Sequence, residues 1–203
     1  MKKYDELATD GVITKTAAAL KKNGINSIVV ENGGAAKEKV LELIPAGAEV
    51  MDMTSVTLET IGLTKEIRES GRYDAVKNAL IKMDRATSGR EMQKLGAAPD
   101  WAIGSVHAVT QEGHIFIASN TGSQLAGYVY GAGHVVWVVS TKKIVTDDED
   151  AKKRIYEHIV PLEEVHMQQL YGVSTFVSKL LTVNREVVPG RITIIFVKEN
   201  LGF

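Results

Sequence analysis

Apolar positions change period along the chain, and the changes divide it into elements. Ile13, Ala17 and Leu20 recur at i, i+4, i+7 behind Asp10, which predicts a helix capped by Asp10 and stopped at Asn23-Gly24. Residues 25–31 form a short β-branched run, read as a buried strand. Gly33-Gly34 opens a second helix with Ala36, Val40, Leu43 and Ile44 on one face, ended by Pro45 and Gly47. Residues 48–53 return to strand character. This β-α-β punctuation predicts a parallel sheet with right-handed crossovers.

Residues 56–98 read as helix in pieces broken at Gly62, Gly71 and Gly96, with no strand signal, and are expected as a helical layer or cap beside the sheet. Residues 101–110 and 114–118 then flank Gln111-Glu112-Gly113 and suit a hairpin. Leu125, Tyr128 and Val129 give a short helical face. Residues 135–139 are the most β-branched run and belong at the sheet centre. Thr146-x-x-Glu149 matches a capping box, with Asp148–Lys152, Glu149–Lys153 and Asp150–Arg154 spaced as i, i+4 ion pairs behind it. Residues 191–197, after Pro189-Gly190, form the last strand. One largely parallel sheet is therefore expected from residues 25–31, 48–53, 114–118, 134–139 and 191–197, in one α/β domain spanning residues 1–203.

Composition narrows the chemistry. The 203 residues are 44% hydrophobic and 24% charged with net charge −1, which offers no general attraction to nucleic acid or anionic membrane. No apolar run approaches the roughly 20 residues of a membrane span, and the polar start "MKKYDELATDG" is unlike a signal peptide. A cytoplasmic location is the default expectation. The absence of cysteine excludes disulfides, thiol nucleophiles and thiolate metal sites. The five histidines show no ligand spacing, and no metal site is assigned.

One loop stands out. Ser119, Asn120, Thr121, Gly122, Ser123 and Gln124 lie where a strand hands over to a helix. Helix N-termini present unpaired N–H groups, and ligands of open α/β sheets bind beyond the carboxyl ends of strands. The same residue types also make plain turns, so cradle and turn are equal alternatives. Lys142-Lys143 follows the strand 135–139 and falls at the same sheet edge; Lys143 is expected to complete an anion site there, against the alternative of two solvated lysines. His107, on a strand, is either a hydrogen-bonded structural residue or a ligand contact. Glu112 is either a solvated turn residue or a catalytic carboxylate.

The stretches "GSVHAVTQEGHIFIASNTGSQLAGYVYGAGHVVWVVSTKKIV", "MDMTSVTLETIGL", "AKKRIYEHIVPLE" and "PGRITIIFVKENLGF" together resemble the lactate-utilisation (LUD) domain family, in a cysteine-free branch. The resemblance implies a three-layer α/β/α sandwich with a Rossmann-like, mostly parallel sheet, as in ribose-phosphate isomerases and coenzyme A transferases. It implies a link to lactate or related carboxylate metabolism, with a small anionic metabolite (carboxylate or phosphate) as ligand. Two other roles go with it: an isomerase or acyl-coenzyme A transferase using Glu112, and a non-catalytic subunit of an iron–sulfur oxidoreductase complex or homo-oligomer. No cofactor is specified.

Overall fold

The computed structural model describes residues 4–203 and holds two sheets. Helix α1 (Asp10–Lys22) leads into β1 (Asn26–Val30), α2 (Gly33–Leu43) and β2 (Glu49–Asp52). Then come α3 (Val56–Thr60), α4 (Leu63–Glu69), the two-residue β3 (Asp74–Ala75), α5 (Val76–Leu80) and α6 (Arg85–Ala97). Strands β4 (Trp101–Gly104), β5 (Ala108–Thr110) and β6 (Ile115–Ser119) precede a π-helical turn, Gly127–Gly131. Next are β7 (His134–Ser140), β8 (Ile144–Val145), α7 (Asp148–Lys153), α8 (Val160–Tyr171), β9 (Lys179–Val183) and β10 (Ile192–Val197). Among the described residues no helix is long and apolar enough to cross a membrane.

The main sheet has order β1-β10-β7-β4-β2-β3, with every pairing parallel. Strand β7 lies inside it, as its β-branched run predicts. Side chains alternate across a strand, and the alternation divides the core in two. Val135, Trp137 and Val139 of β7 join Ile192, Ile194 and Phe196 of β10 on one face. Val136 and Val138 join Ile195 and Val197 on the other, against Val40, Leu58, Leu63 and Ile67 of α2, α3 and α4. On the first face Leu20 of α1 and Val76 of α5 pack beside Val109, Ile115 and Ile117 from the second sheet. Helices thus cover both faces in a three-layer α/β/α arrangement.

The second sheet, order β8-β5-β6-β9, corrects the expected topology. Residues 114–118 do not join the parallel sheet; β6 pairs antiparallel with β5 and β9. The hairpin around Gln111-Glu112-Gly113 does form. Residues 101–110, which read as one strand, divide: β4 pairs with β2 and β7, whereas β5 pairs with β6 and β8. An apolar run continuing through Ser105 hides this break.

Other expectations shift locally. Strand β1 is an edge strand with exposed positions, not a buried one. Thr9, rather than Asp10, occupies the N-cap of α1. Residues 56–98 pack on both faces of the sheet and contribute β3 to its edge. Asp147 caps α7 by accepting from the Asp150 amide, and the lysine pair there is Glu149–Lys152 at 2.7 Å. Asp148 instead meets His114 Nδ1 at 2.8 Å.

The β4 terminus is held by close packing. A Cβ at Gly104 would lie 1.7 Å from the Tyr128 hydroxyl, and the Tyr128 ring packs edge-on against Trp137 at 5.3 Å, both fully buried. Gly104→Ala should cost about 1–3 kcal/mol through overpacking. Tyr128→Phe removes the clashing oxygen, so the cost should shrink in that background. Chemical denaturation of both single variants and the double variant measures the coupling. Strict additivity would show that Tyr128 is not what Gly104 accommodates.

Candidate functional site

The carboxyl ends of β2, β4 and β7 open into a cleft of about 350 Å³, within the range of small-ligand sites. Segment 53–57 follows β2, Ser105–His107 follows β4 and Lys143 follows β7; Gly202 closes the corner beyond β10. The opposite wall comes from the end of β6 with its following loop, and from Glu163 and His166 on α8. Among the expected site residues, Ser119, Asn120, Thr121, Ser123, Gln124, His107 and Lys143 all line this one cleft. Gly122 and Glu112 do not line it. Glu112 is exposed in the hairpin turn, where its carbonyl accepts from Asn23 Nδ2 at the end of α1.

The loop is built differently from a helix-terminus cradle. Ser119 Oγ accepts from the Gly122 amide at 2.8 Å and pairs with Gln124 Oε1 at 2.9 Å. Thr121 Oγ1 accepts from the Ser123 amide at 3.3 Å. These are local turn bonds of the kind Ser and Thr make, so two of the loop's N–H groups are already used. Gly122 has φ +85°, and a Cβ there would meet the Lys179 stem at 2.6 Å. What approaches this glycine is β9. Behind the loop stands only a short turn ending in the π-helical segment, not a long helix. The loop offers the cleft side chains rather than a row of free amides.

Lys143 is the strongest feature, and it is not the solvated lysine that a Lys-Lys pair suggests. It is 5% exposed, and Nζ donates to Ser105 Oγ and to the Val106 carbonyl, each at 3.1 Å. No carboxylate among the described residues lies within ion-pair distance of it. Burial pushes its pKa well below the usual lysine value, and the positive charges of Arg154 and Lys142 push the same way. Lys142 is buried too, tied to Asn200 Oδ1 and the Gly202 carbonyl at 2.6 Å each. Arg154, fully buried, donates to the His107 carbonyl, and burial lowers its pKa to about 10.

His107 accepts from the Ala118 amide at Nδ1, 3.2 Å away. That bond fixes the neutral tautomer with its proton on Nε2. Burial lowers the pKa to about 3, helped by the charges of Lys143 and Arg154. Across the cleft, Glu163 Oε2 lies 3.6 Å from His166 Nδ1. Burial raises the Glu163 pKa, and His166 partly opposes this. Sequence reasoning missed Thr57, Ser105 and Gly202 altogether. Thr57 Oγ1 is buried without a partner among the described residues. A Cβ on Gly202 would lie 2.3 Å from that hydroxyl and 3.5 Å from Lys143 Nζ.

The His107 environment sets an acid limit on stability. Its folded pKa is about 3 against 6.5 unfolded, so below pH 6.5 the unfolded chain binds a proton that the folded chain refuses. This residue's contribution should fall by about 1.4 kcal/mol per pH unit between those values. His107→Gln should remove one proton from the pH slope of denaturant-derived stability. An unchanged slope would show that His107 is protonated in the fold.

The comparisons with known proteins agree with the architecture. No curated protein matches the sequence. A crystal structure of a DUF162 family protein from Deinococcus radiodurans superposes with TM-score 0.59 over 95% of this chain and 99% of that one, at 11% identity. That likeness establishes the fold alone. The LUD domain model matches residues 13–197, nearly the whole of both sheets, and the chain belongs to the LUD domain family.

Proposed function

We propose that this LUD domain binds a small anionic metabolite, a carboxylate or a phosphate, in the cleft at the carboxyl ends of β2, β4 and β7. The observation that carries the reading is Lys143: a buried lysine in the cleft wall, met by two neutral acceptors and, among the described residues, no carboxylate. An anion beside Nζ would supply the missing countercharge. Nε2–H of His107 and the hydroxyl of Ser123 supply neutral donors on the surrounding wall; those of Ser119 and Thr121 are donated within the loop, to Gln124 Oε1 and Ser123 Oγ. The family resemblance suggests lactate or a related carboxylate. Acyl transfer through Glu112 finds no support in the cleft, because that side chain lies elsewhere on the surface.

The test is calorimetric titration with lactate, pyruvate and phosphate at low salt. Lys143→Met should weaken binding roughly ten- to a hundredfold, the worth of one charge-assisted hydrogen bond. Equal affinity in both proteins, or no heat with any of the three, would refute the reading. An anion raises the pKa of the amine it contacts, so binding should take up a proton and weaken as pH rises. Titration in buffers of different ionisation enthalpy reads that proton.

Stability should move the opposite way. Lys143 has a folded pKa below its unfolded one, so the unfolded state binds the extra proton and stability rises with pH towards 10.5. At neutral pH, Lys143→Met relieves the cost of burying the amine while losing its two hydrogen bonds, and should therefore raise the melting temperature. A lower melting temperature would mean that the bonds to Ser105 and Val106 outweigh the cost of burying the amine.

A further inference from the structure

The cleft contains more than a cation. Its corner brings together a primary amine, an unpartnered hydroxyl and a glycine that keeps the space between them free. Lys143 Nζ uses two of its directions on Ser105 Oγ and the Val106 carbonyl. The third is left for the cleft that Lys143 lines. Thr57, 1% exposed, has no partner for Oγ1 among the described residues. A Cβ at position 202 would run into Thr57 Oγ1, at 2.3 Å, and would touch Lys143 Nζ at 3.5 Å. The charged groups that bear on Lys143 are Arg154 and Lys142, both cations.

A lysine that is desolvated and set beside other cations is the arrangement in which an amine becomes a nucleophile near neutral pH. An anion-binding lysine on a surface needs none of this burial.

We propose that Lys143 forms an imine with the carbonyl carbon of a small oxo-acid bound in the cleft. The unprotonated amine attacks the carbonyl carbon, and the C=O π pair becomes the hydroxyl of a carbinolamine. The nitrogen lone pair then expels that hydroxyl as water, forming C=N. The proton first lost by the ammonium is returned to the departing hydroxyl. From ammonium and ketone the products are one protonated imine and one water, with no oxidant, reductant or net acid consumed. In this step Thr57 Oγ1, unpartnered among the described residues, hydrogen-bonds the carbinolamine hydroxyl. The protonated imine keeps its positive charge beside the carboxylate of the same ligand.

This proposal rests on the cleft being the anion site and adds the chemical class of the ligand, a carbonyl acid. The test is incubation of the protein with glyoxylate, pyruvate, 2-oxobutyrate or acetoacetate plus cyanoborohydride at pH 7, followed by peptide mass mapping. A reduced adduct should accumulate on Lys143 at least tenfold faster than on an exposed lysine such as Lys152. It should saturate with ligand, be suppressed by lactate, and be absent at position 143 in Lys143→Arg, whose fold is checked by circular dichroism. If no carbonyl acid labels Lys143 above Lys152, the imine is overturned. Lactate or phosphate binding that depends on Lys143, with no adduct, leaves the anion reading standing and removes only the imine. Labelling of Lys143 that lactate does not suppress removes the shared site.

Discussion

Strand β4 leaves the main sheet after Gly104 while its neighbour β7 runs on to Ser140, and the rest of the site follows from how that uneven ending is satisfied. Strands β4 and β7 pair in parallel up to Gly104 and Trp137. Past that level β4 turns away and β7 runs on beside β10 to Ser140; both chains then enter the second sheet, where their continuations, β5 and β8, pair in parallel again. Between the two ladders the carbonyls of Val106 and His107 need partners, since a buried unpaired carbonyl costs as much as a lost hydrogen bond. Cations supply them. Lys143 takes the Val106 carbonyl and Arg154 the His107 carbonyl. The burial of positive charge here is therefore first a solution to a backbone problem.

The same break makes the cleft. Where two sheets diverge at the carboxyl ends of parallel strands, the space between them is lined by strand ends rather than by packed faces. Helix α8 closes the far side and brings Glu163 and His166 into it. Polar groups drawn from β2, β4, β6, β7 and α8 meet in one volume although they lie far apart in sequence. Most lie on a regular element or within three residues of a strand end, so the packed sheets and α8 set their positions.

Much of the fold was legible because period-2 alternation and helix punctuation act locally. Val135–Val139 could be only a buried strand, and it divides its side chains between two cores as that pattern requires. The two-sheet split was not legible, because "WAIGSVHAVT" keeps strand-like apolar residues through the turn at Ser105. Strand β9 escaped for another reason. Its sequence KLLTV exposes several positions, and its place depends on pairing with β6, sixty or more residues earlier. For the site, the loop at 119–124 and Lys143 were visible as residue types, but their roles were not. Nothing in "TKK" tells a reader that both lysines are buried, because the groups that bury them, Ser105, Asn200 and Gly202, arrive from distant strand ends. Thr57 and Gly202 were invisible for the same reason. A threonine in a helix and a glycine beyond a strand acquire meaning only when they face each other.

A lysine that caps a carbonyl needs only to donate, and donation alone does not explain its position. A solvated lysine could reach a carbonyl from outside, as exposed stems often do. Lys143 instead caps from within the cleft wall, beside Arg154 and Lys142, where its charge is most costly to keep. A neutral amide side chain would satisfy Val106 with less electrostatic cost. What an amide could not do is carry a charge that appears when an anion arrives, or release a lone pair when a carbonyl does. The position is explained by the backbone break; the choice of lysine at that position is what the proposed ligand would explain.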